Sequence, residues 1–322
     1  MGKARGSRKR KPYVKDLVED EIRWGFMVTT WRKKLWDKQI ELLLEADRIC
    51  RANGIPYFAL NGTMLGAARH HGFVPWDDDL DIGMFRPDYE RFKQVAMQEV
   101  RPPFFLQSAY SGDRQGGILF ILKLRDDRTT FLGVRELDKS GHQGIFIDIF
   151  PIDSYDETTD EGRWVYAAGN EILTSLFAEE EMRAHLDAGG PTALREDVLR
   201  EILAMPHLQR FAEFERLHAD NFHVGPTVAN LFNEGNPCPL PRDLAPGFVR
   251  LPFEEASVPV PTKYEEILSR RYGDWRKPVR WPVHAAICSA NIPFRDYQEQ
   301  VDRDWQVLCD QGVQKYSALE AM

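Results

Sequence analysis

The sequence predicts an α+β protein, and three observations carry that expectation. Apolar runs of strand length recur at 57–60, 80–84, 117–125 and 144–151. Segments between them place apolar residues at helical spacing, most plainly over 29–51, where Trp31, Leu35, Leu42, Leu43, Ala46, Ile49 and Cys50 share a face. From 156 to 220 the strand signals fade and Ala, Leu, Glu and Arg dominate, which predicts several helices. The organisation expected is a basic tail and lead-in over 1–28, a sheet-bearing core over 29–155, and a mainly helical region over 156–322 that packs on the core and completes its site.

Each element has a local reason. Asn53, Gly54 and Pro56 stop the first long helix, and Tyr57-Phe58-Ala59-Leu60 reads as a buried strand. Asn61-Gly62-Thr63 then opens a short helix that His70-His71-Gly72 ends. Gly62 permits close backbone approach, Thr63 adds a hydroxyl, and the first turn presents free N–H groups, a combination that suits a phosphate. Pro87 fits the first turn of a helix running to about Val100, which Pro102-Pro103 breaks. The Pro-rich passage 236–261 reads as an irregular packed connection. Thr262 to Glu265 has capping-box spacing for a helix ending near Gly273, and the segment from Ile292 onward reads as helix.

The most informative stretch is Trp76-Asp77-Asp78-Asp79-Leu80-Asp81-Ile82. A solvated acidic turn would explain a charge run, but Leu80 and Ile82 read as buried strand. If the whole segment is a strand, Asp77, Asp79 and Asp81 share one face. Converging carboxylates stay ionised only beside a compensating cation, and a hard divalent ion, magnesium first and manganese second, matches oxygen ligands. Asp148 strengthens this reading. It is a single carboxylate among Ile145, Phe146, Ile147, Ile149 and Phe150, where burial of an unpaired charge costs several kcal/mol.

Bulk properties exclude several classes. The 322 residues carry a net charge of -8, although Lys3, Arg5, Arg8, Lys9, Arg10 and Lys11 make the head strongly basic. An acidic body argues against nucleic acid as a partner. The sequence contains no run of about 20 apolar residues and no apolar segment after the basic head. A cytoplasmic protein is expected, with the basic head available for peripheral contact with anionic membrane. Cys50, Cys238, Cys288 and Cys309 are scattered and read as reduced thiols, not as a zinc site.

Three stretches, GTMLGAARHHGFVPWDDDLDIGM, GIFIDIFPID and VPVPTKYEEILSRRYGDW, occur in this order and together resemble the LicD family, which includes bacterial phosphocholine transferases and is related to the fukutin proteins. The resemblance implies a nucleotidyltransferase-like fold of the DNA polymerase β type, a mixed sheet flanked by helices. It implies Asp79 and Asp81 as a metal-binding pair, Asp148 as the third carboxylate, Asp77 as an auxiliary ligand, and Gly62 and Thr63 as the phosphate turn. The implied reaction moves phosphocholine from CDP-choline to a sugar hydroxyl of a cell-surface glycan or its lipid-linked precursor, with Asp148 a candidate base. Arg69 and Lys123 are candidate phosphate contacts. Trp275 and Trp281 are candidate aromatic faces for the quaternary ammonium, although packing of the C-terminal helix onto the core is the preferred reading of both. His284 matches a family position. The same residues accommodate CDP-glycerol or CDP-ribitol as donor, nucleotidyl transfer from a free NTP, or a non-catalytic regulator of glycan phosphorylation.

Overall fold

The computed structural model describes residues 11–112, 120–133, 141–232, 239–281, 286–294, 296 and 313–315. The chain opens with a hairpin, β1 (Glu21–Arg23) and β2 (Phe26–Val28), turned by Trp24 and Gly25 in left-handed conformations. Helix α1 (Thr30–Asn53) follows, capped by the Thr29 hydroxyl and stopped by Gly54 at φ 61°. Then come β3 (Phe58–Ala59), α2 (Asn61–His70), β4 (Asp81–Phe85), α3 (Arg86–Glu99) with Pro87 in its first turn, β5 (Phe104–Gln107), β6 (Leu122–Asp126), β7 (Thr130–Gly133) and β8 (Phe146–Ser154).

These strands explain where the site sits. β8 is the hub of a seven-stranded mixed sheet: β4 pairs with it in parallel, β6 antiparallel, and β3 and β5 extend the two flanks. Register places Asp81 opposite Asp148 and Asp148 opposite Lys123, so three charged residues form a row across adjacent strands. Period-two alternation then separates two faces. Ile82, Met84, Leu122, Leu124, Ile147 and Ile149 are all buried and form part of one continuous apolar core with Leu35, Ile40 and Leu43 of α1. Asp81, Gly83 and Phe85 of β4 and Asp148, Phe150 and Ile152 of β8 share the opposite face.

Helices α4 (Asp160–Phe177), α5 (Glu179–Asp187), α6 (Glu196–Ala204) and α7 (His207–Asp220) fill the expected helical stretch. They bury their own cluster around Ile172, Ile202, Phe211 and Phe214. The buried bidentate pair of Arg86 with Asp153, at 2.6 and 2.7 Å, ties the start of α3 to the end of β8.

Beyond Asp220 the described residues add strands to the helices expected for this region. The chain returns to strands: β9 (Thr227–Ala229) on the end of β8, β10 (Leu240–Pro241), and a hairpin of β11 (Phe248–Phe253) and β12 (Ala256–Pro261). Proline hid this hairpin from sequence reading. In a two-stranded ribbon every strand is an edge, so Pro252, Pro259 and Pro261 need supply no N–H to a further neighbour. Helix α8 (Tyr264–Tyr272) ends at Gly273 as expected, but it starts at Lys263 without a side-chain cap, because Thr262 belongs to the hairpin exit. β13 (Ala286–Ser289) joins β7 and β14 (Val313–Lys315) in a three-stranded sheet, so at least this part of the C-terminal segment is strand, not helix. Among the described residues no helix is long and apolar enough to cross a membrane. The basic residues 1–10 lie outside the described residues, as do Cys238 and Cys309. Cys50 and Cys288 are buried free thiols.

Candidate active site

The aspartate run is a loop that enters a strand, not a strand throughout. β4 begins only at Asp81, because α1 takes the backbone groups that a neighbouring strand would otherwise use. Arg32 Nη1 donates to the Asp77 carbonyl at 2.6 Å and Trp36 Nε1 to the same oxygen at 3.0 Å, while Gln39 Nε2 donates to the Asp78 carbonyl at 2.8 Å. These donors lie on one face of α1 and fix the loop from below. The carboxylates converge all the same. Oxygens of Asp77, Asp78 and Asp79 lie within 4.8 Å of one another, and Asp81 and Asp148 adjoin them across the strand pair.

The first turn of α2 is shaped around this cluster. A Cβ at Gly62 would collide with Asp77 Oδ2, so glycine here makes room for a carboxylate. Thr63 is buried and its hydroxyl accepts the Asp81 N–H at 2.8 Å, a bond that orients the start of β4. Asn61 Nδ2 donates to Asp81 Oδ2 at 3.0 Å. Lys123 Nζ lies 2.6 Å from Asp148 Oδ1 and above the Phe146 ring.

Electrostatics set the demand of the site. Asp77 and Asp81 are only 6% and 7% exposed. Burial first, and the Asp79 charge second, push both carboxyls well above the usual carboxylate range. Asn61 and Lys123 only partly offset this at Asp81. A hard divalent cation would reverse the penalty, so the donor set fits one.

The cluster opens into a cleft of about 440 Å³, walled by Asn61, Gly62, Phe150, Phe232, Arg271, Tyr272 and Trp281. Of the residues expected from sequence, Gly62, Asp77, Asp79, Asp81, Asp148 and Trp281 line it. The other described ones lie elsewhere. Thr63 acts on the backbone beneath, and Lys123 reaches the site through Asp148. Arg69 turns away, donating to the Trp275 carbonyl at 2.7 Å and to His70 Nε2 at 2.8 Å. Trp275 is buried in the core and does not line the cleft. His284 lies outside the described residues. Sequence reading missed Asn61, Arg271, Phe150 and Phe232. Asn61 had a signal, its place directly before Gly62. Arg271 had none, because a basic residue in the last turn of a helix is ordinary.

The fold and site therefore define an α+β protein that gathers four aspartates at one end of a cleft on a mixed sheet. Residues 54–177 match the family model described as LicD/FKTN/FKRP, nucleotidyltransferase domain. The matched segment spans β3 to α4 and contains all the clustered aspartates. The chain is similar to the lipopolysaccharide cholinephosphotransferase LicD of Haemophilus influenzae, 34% identical over 125 residues that cover 37% of this chain and 42% of the relative. It is also similar to the human ribitol 5-phosphate transferase FKRP, 38% identical over 47 residues covering 15% and 10% of the two chains. The mouse ribitol-5-phosphate transferase FKTN is 36% identical over 63 residues, 20% of this chain and 14% of the relative. The matches thus span less than half of each relative, and Arg271, Tyr272 and Trp281 lie beyond the matched domain.

Proposed function

We propose that the protein transfers phosphocholine from CDP-choline to a hydroxyl of a cell-surface glycan, of lipopolysaccharide, teichoic acid or capsule type, or of its lipid-linked precursor. The observation that carries this reading is the in-register pair Asp81 and Asp148, flanked by Asp77 and Asp79, at the base of an aromatic cleft. The named activities of the relatives support the broader class, transfer of a phosphate-linked alcohol. The order of helix α2, the Asp79-Leu80-Asp81 entry to β4 and Asp148 on the adjacent strand supports a nucleotidyltransferase-like core.

Asp79, Asp81 and Asp148, with Asp77 alongside, would hold magnesium or manganese, which supplies charge neutralisation for the donor diphosphate. The chain's own groups do the rest. Arg271, a cation on the cleft wall, faces the diphosphate. Trp281 and Tyr272 offer π faces to the quaternary ammonium, which takes no hydrogen bonds. Asp148, positioned by Lys123, receives the acceptor hydroxyl proton as that oxygen attacks the phosphorus bearing choline. The bond from this phosphorus to the bridging oxygen breaks, and CMP departs with the electron pair.

Ribitol phosphate transfer is the second reading, favoured by the FKRP and FKTN relatives. CMP release in the presence of magnesium and a lipopolysaccharide acceptor separates the two. CDP-choline should be consumed faster than CDP-ribitol or CDP-glycerol, and Trp281→Ala should raise KM for CDP-choline about tenfold while leaving CDP-ribitol unaffected. A preference for CDP-ribitol would move the assignment to the polyol. Failure with all three donors would leave a non-catalytic role.

A further inference from the structure

We propose that an apolar chamber beside the acid cleft receives the pyrimidine base of the activated donor, with the Asn230 side-chain amide as its hydrogen-bond donor. This rests on the nucleotide-donor reading above. The chamber lies on the same sheet face as the carboxylates. Asp81 and Asp148 begin that face, and Phe85 and Ile152, four residues further along β4 and β8, line the chamber. The offset is about 13 Å, a span that a nucleoside diphosphate bridges. Asn61, Arg271 and Tyr272 line both cavities and so stand between them.

Asn230 gives the chamber a chemical preference. It is 8% exposed, and its Oδ1 accepts the Phe232 N–H at 3.0 Å. That bond fixes the orientation of the amide, because an N–H needs an acceptor. Nδ2 is left buried without a partner. An unmet buried donor costs about 1–3 kcal/mol, and a ligand carbonyl or ring nitrogen would satisfy it. Away from Asn61, Arg271 and Tyr272 the other walls are apolar, with Phe58 and Phe85 adding ring faces. An acyl chain would leave Nδ2 unsatisfied, and free space of about 60 Å³ is too small for one. A cation would meet Arg271. An edge of a small heteroaromatic ring, with its remainder against Tyr272, fits both limits. The donor then lies with one edge of its base in the chamber and the rest against Tyr272, its diphosphate at Arg271, and its alcohol over the aspartates beside Trp281.

The test is calorimetric titration of the full chain, with magnesium, using CMP, AMP and ribose 5-phosphate. CMP should bind more tightly than the other two, and Asn230→Leu should weaken CMP about tenfold, towards ribose 5-phosphate. Ala245→Phe, which fills the chamber from a partly exposed position, should do the same, and thermal melts show that both variants are folded. Equal CMP affinity in wild type and both variants, AMP binding as tight as CMP, or no CMP binding would overturn the proposal. Asn230-dependent CMP binding without CMP release from any CDP-alcohol would uphold the base site and reject the transferase reading.

Discussion

Gly62 and Asp79 carry the clearest consequences of single residues. Because a methyl group at Gly62 would drive into Asp77 Oδ2, Gly62→Ala should leave the fold intact yet displace a carboxylate of the proposed active site. A loss of about 100-fold in turnover is expected, checked by CMP release alongside a thermal melt. Asp79 charges both of its neighbours: its carboxylate helps raise Asp77 and Asp81. A raised folded value contributes stability that is present at low pH and lost as pH rises through it. Without a divalent cation, therefore, Asp79→Asn should melt higher than wild type by about 1–3 °C at neutral pH, and it should lack the magnesium-induced rise expected of wild type. A lower melting temperature for the variant in chelator would contradict this account of the cluster. The carboxylates themselves were legible because four aspartates beside Leu80 and Ile82 break the ordinary pattern of a solvated run. The task of Thr63 was not, since a threonine after a glycine reads equally as a ligand contact or as support for a neighbouring N–H.

Among the elements, β8 and α3 are coupled by the Arg86–Asp153 pair, whose partners are both fully buried. Arg86→Met leaves a buried carboxylate without its cation and should cost about 3–5 kcal/mol, read by denaturant unfolding. Arg86, by its charge and hydrogen bonds, holds Asp153 below the usual carboxylate value against the opposing effect of burial. The sign follows: this pair contributes stability above about pH 4 that is lost as pH falls through the lowered value, the opposite of the Asp77 and Asp81 contribution. Elements with a strong period or a sharp stop were readable. α1 ended at the glycine that its sequence nominates, and α2, α3, β4 and β8 formed where apolar pattern and turn residues agreed. The β11–β12 hairpin was unreadable because its prolines argue against a central strand, and nothing local reveals that the ribbon has no third strand.

Across the whole molecule, the site is assembled from both halves of the chain. The family-matched segment contributes the aspartates, while α8 and the residues after it contribute Arg271, Tyr272 and Trp281. Arg69 joins the halves by donating to the Trp275 carbonyl, with His70 accepting from the same guanidinium. Burial, reinforced by the Arg69 charge, pushes His70 down to about 3, and burial also lowers His218. Unfolding lets both take up protons, so their contribution is full above about pH 6.5 and falls as the solution is acidified below it. That residues 156–322 complete the site, with Trp281 in it, was expected from the sequence, whereas the place of Arg271 was not, since no spacing rule links a helix terminus near 271 to a loop near 79. We propose that this composite cleft binds a CDP-activated alcohol through a cation held by the aspartates. It is tested most directly by calorimetric titration of the full chain with CDP-choline, with and without magnesium, on wild type and Asp79→Ala. The account predicts magnesium-dependent binding that the variant loses. Equal binding by the two proteins, or binding indifferent to magnesium, would contradict it.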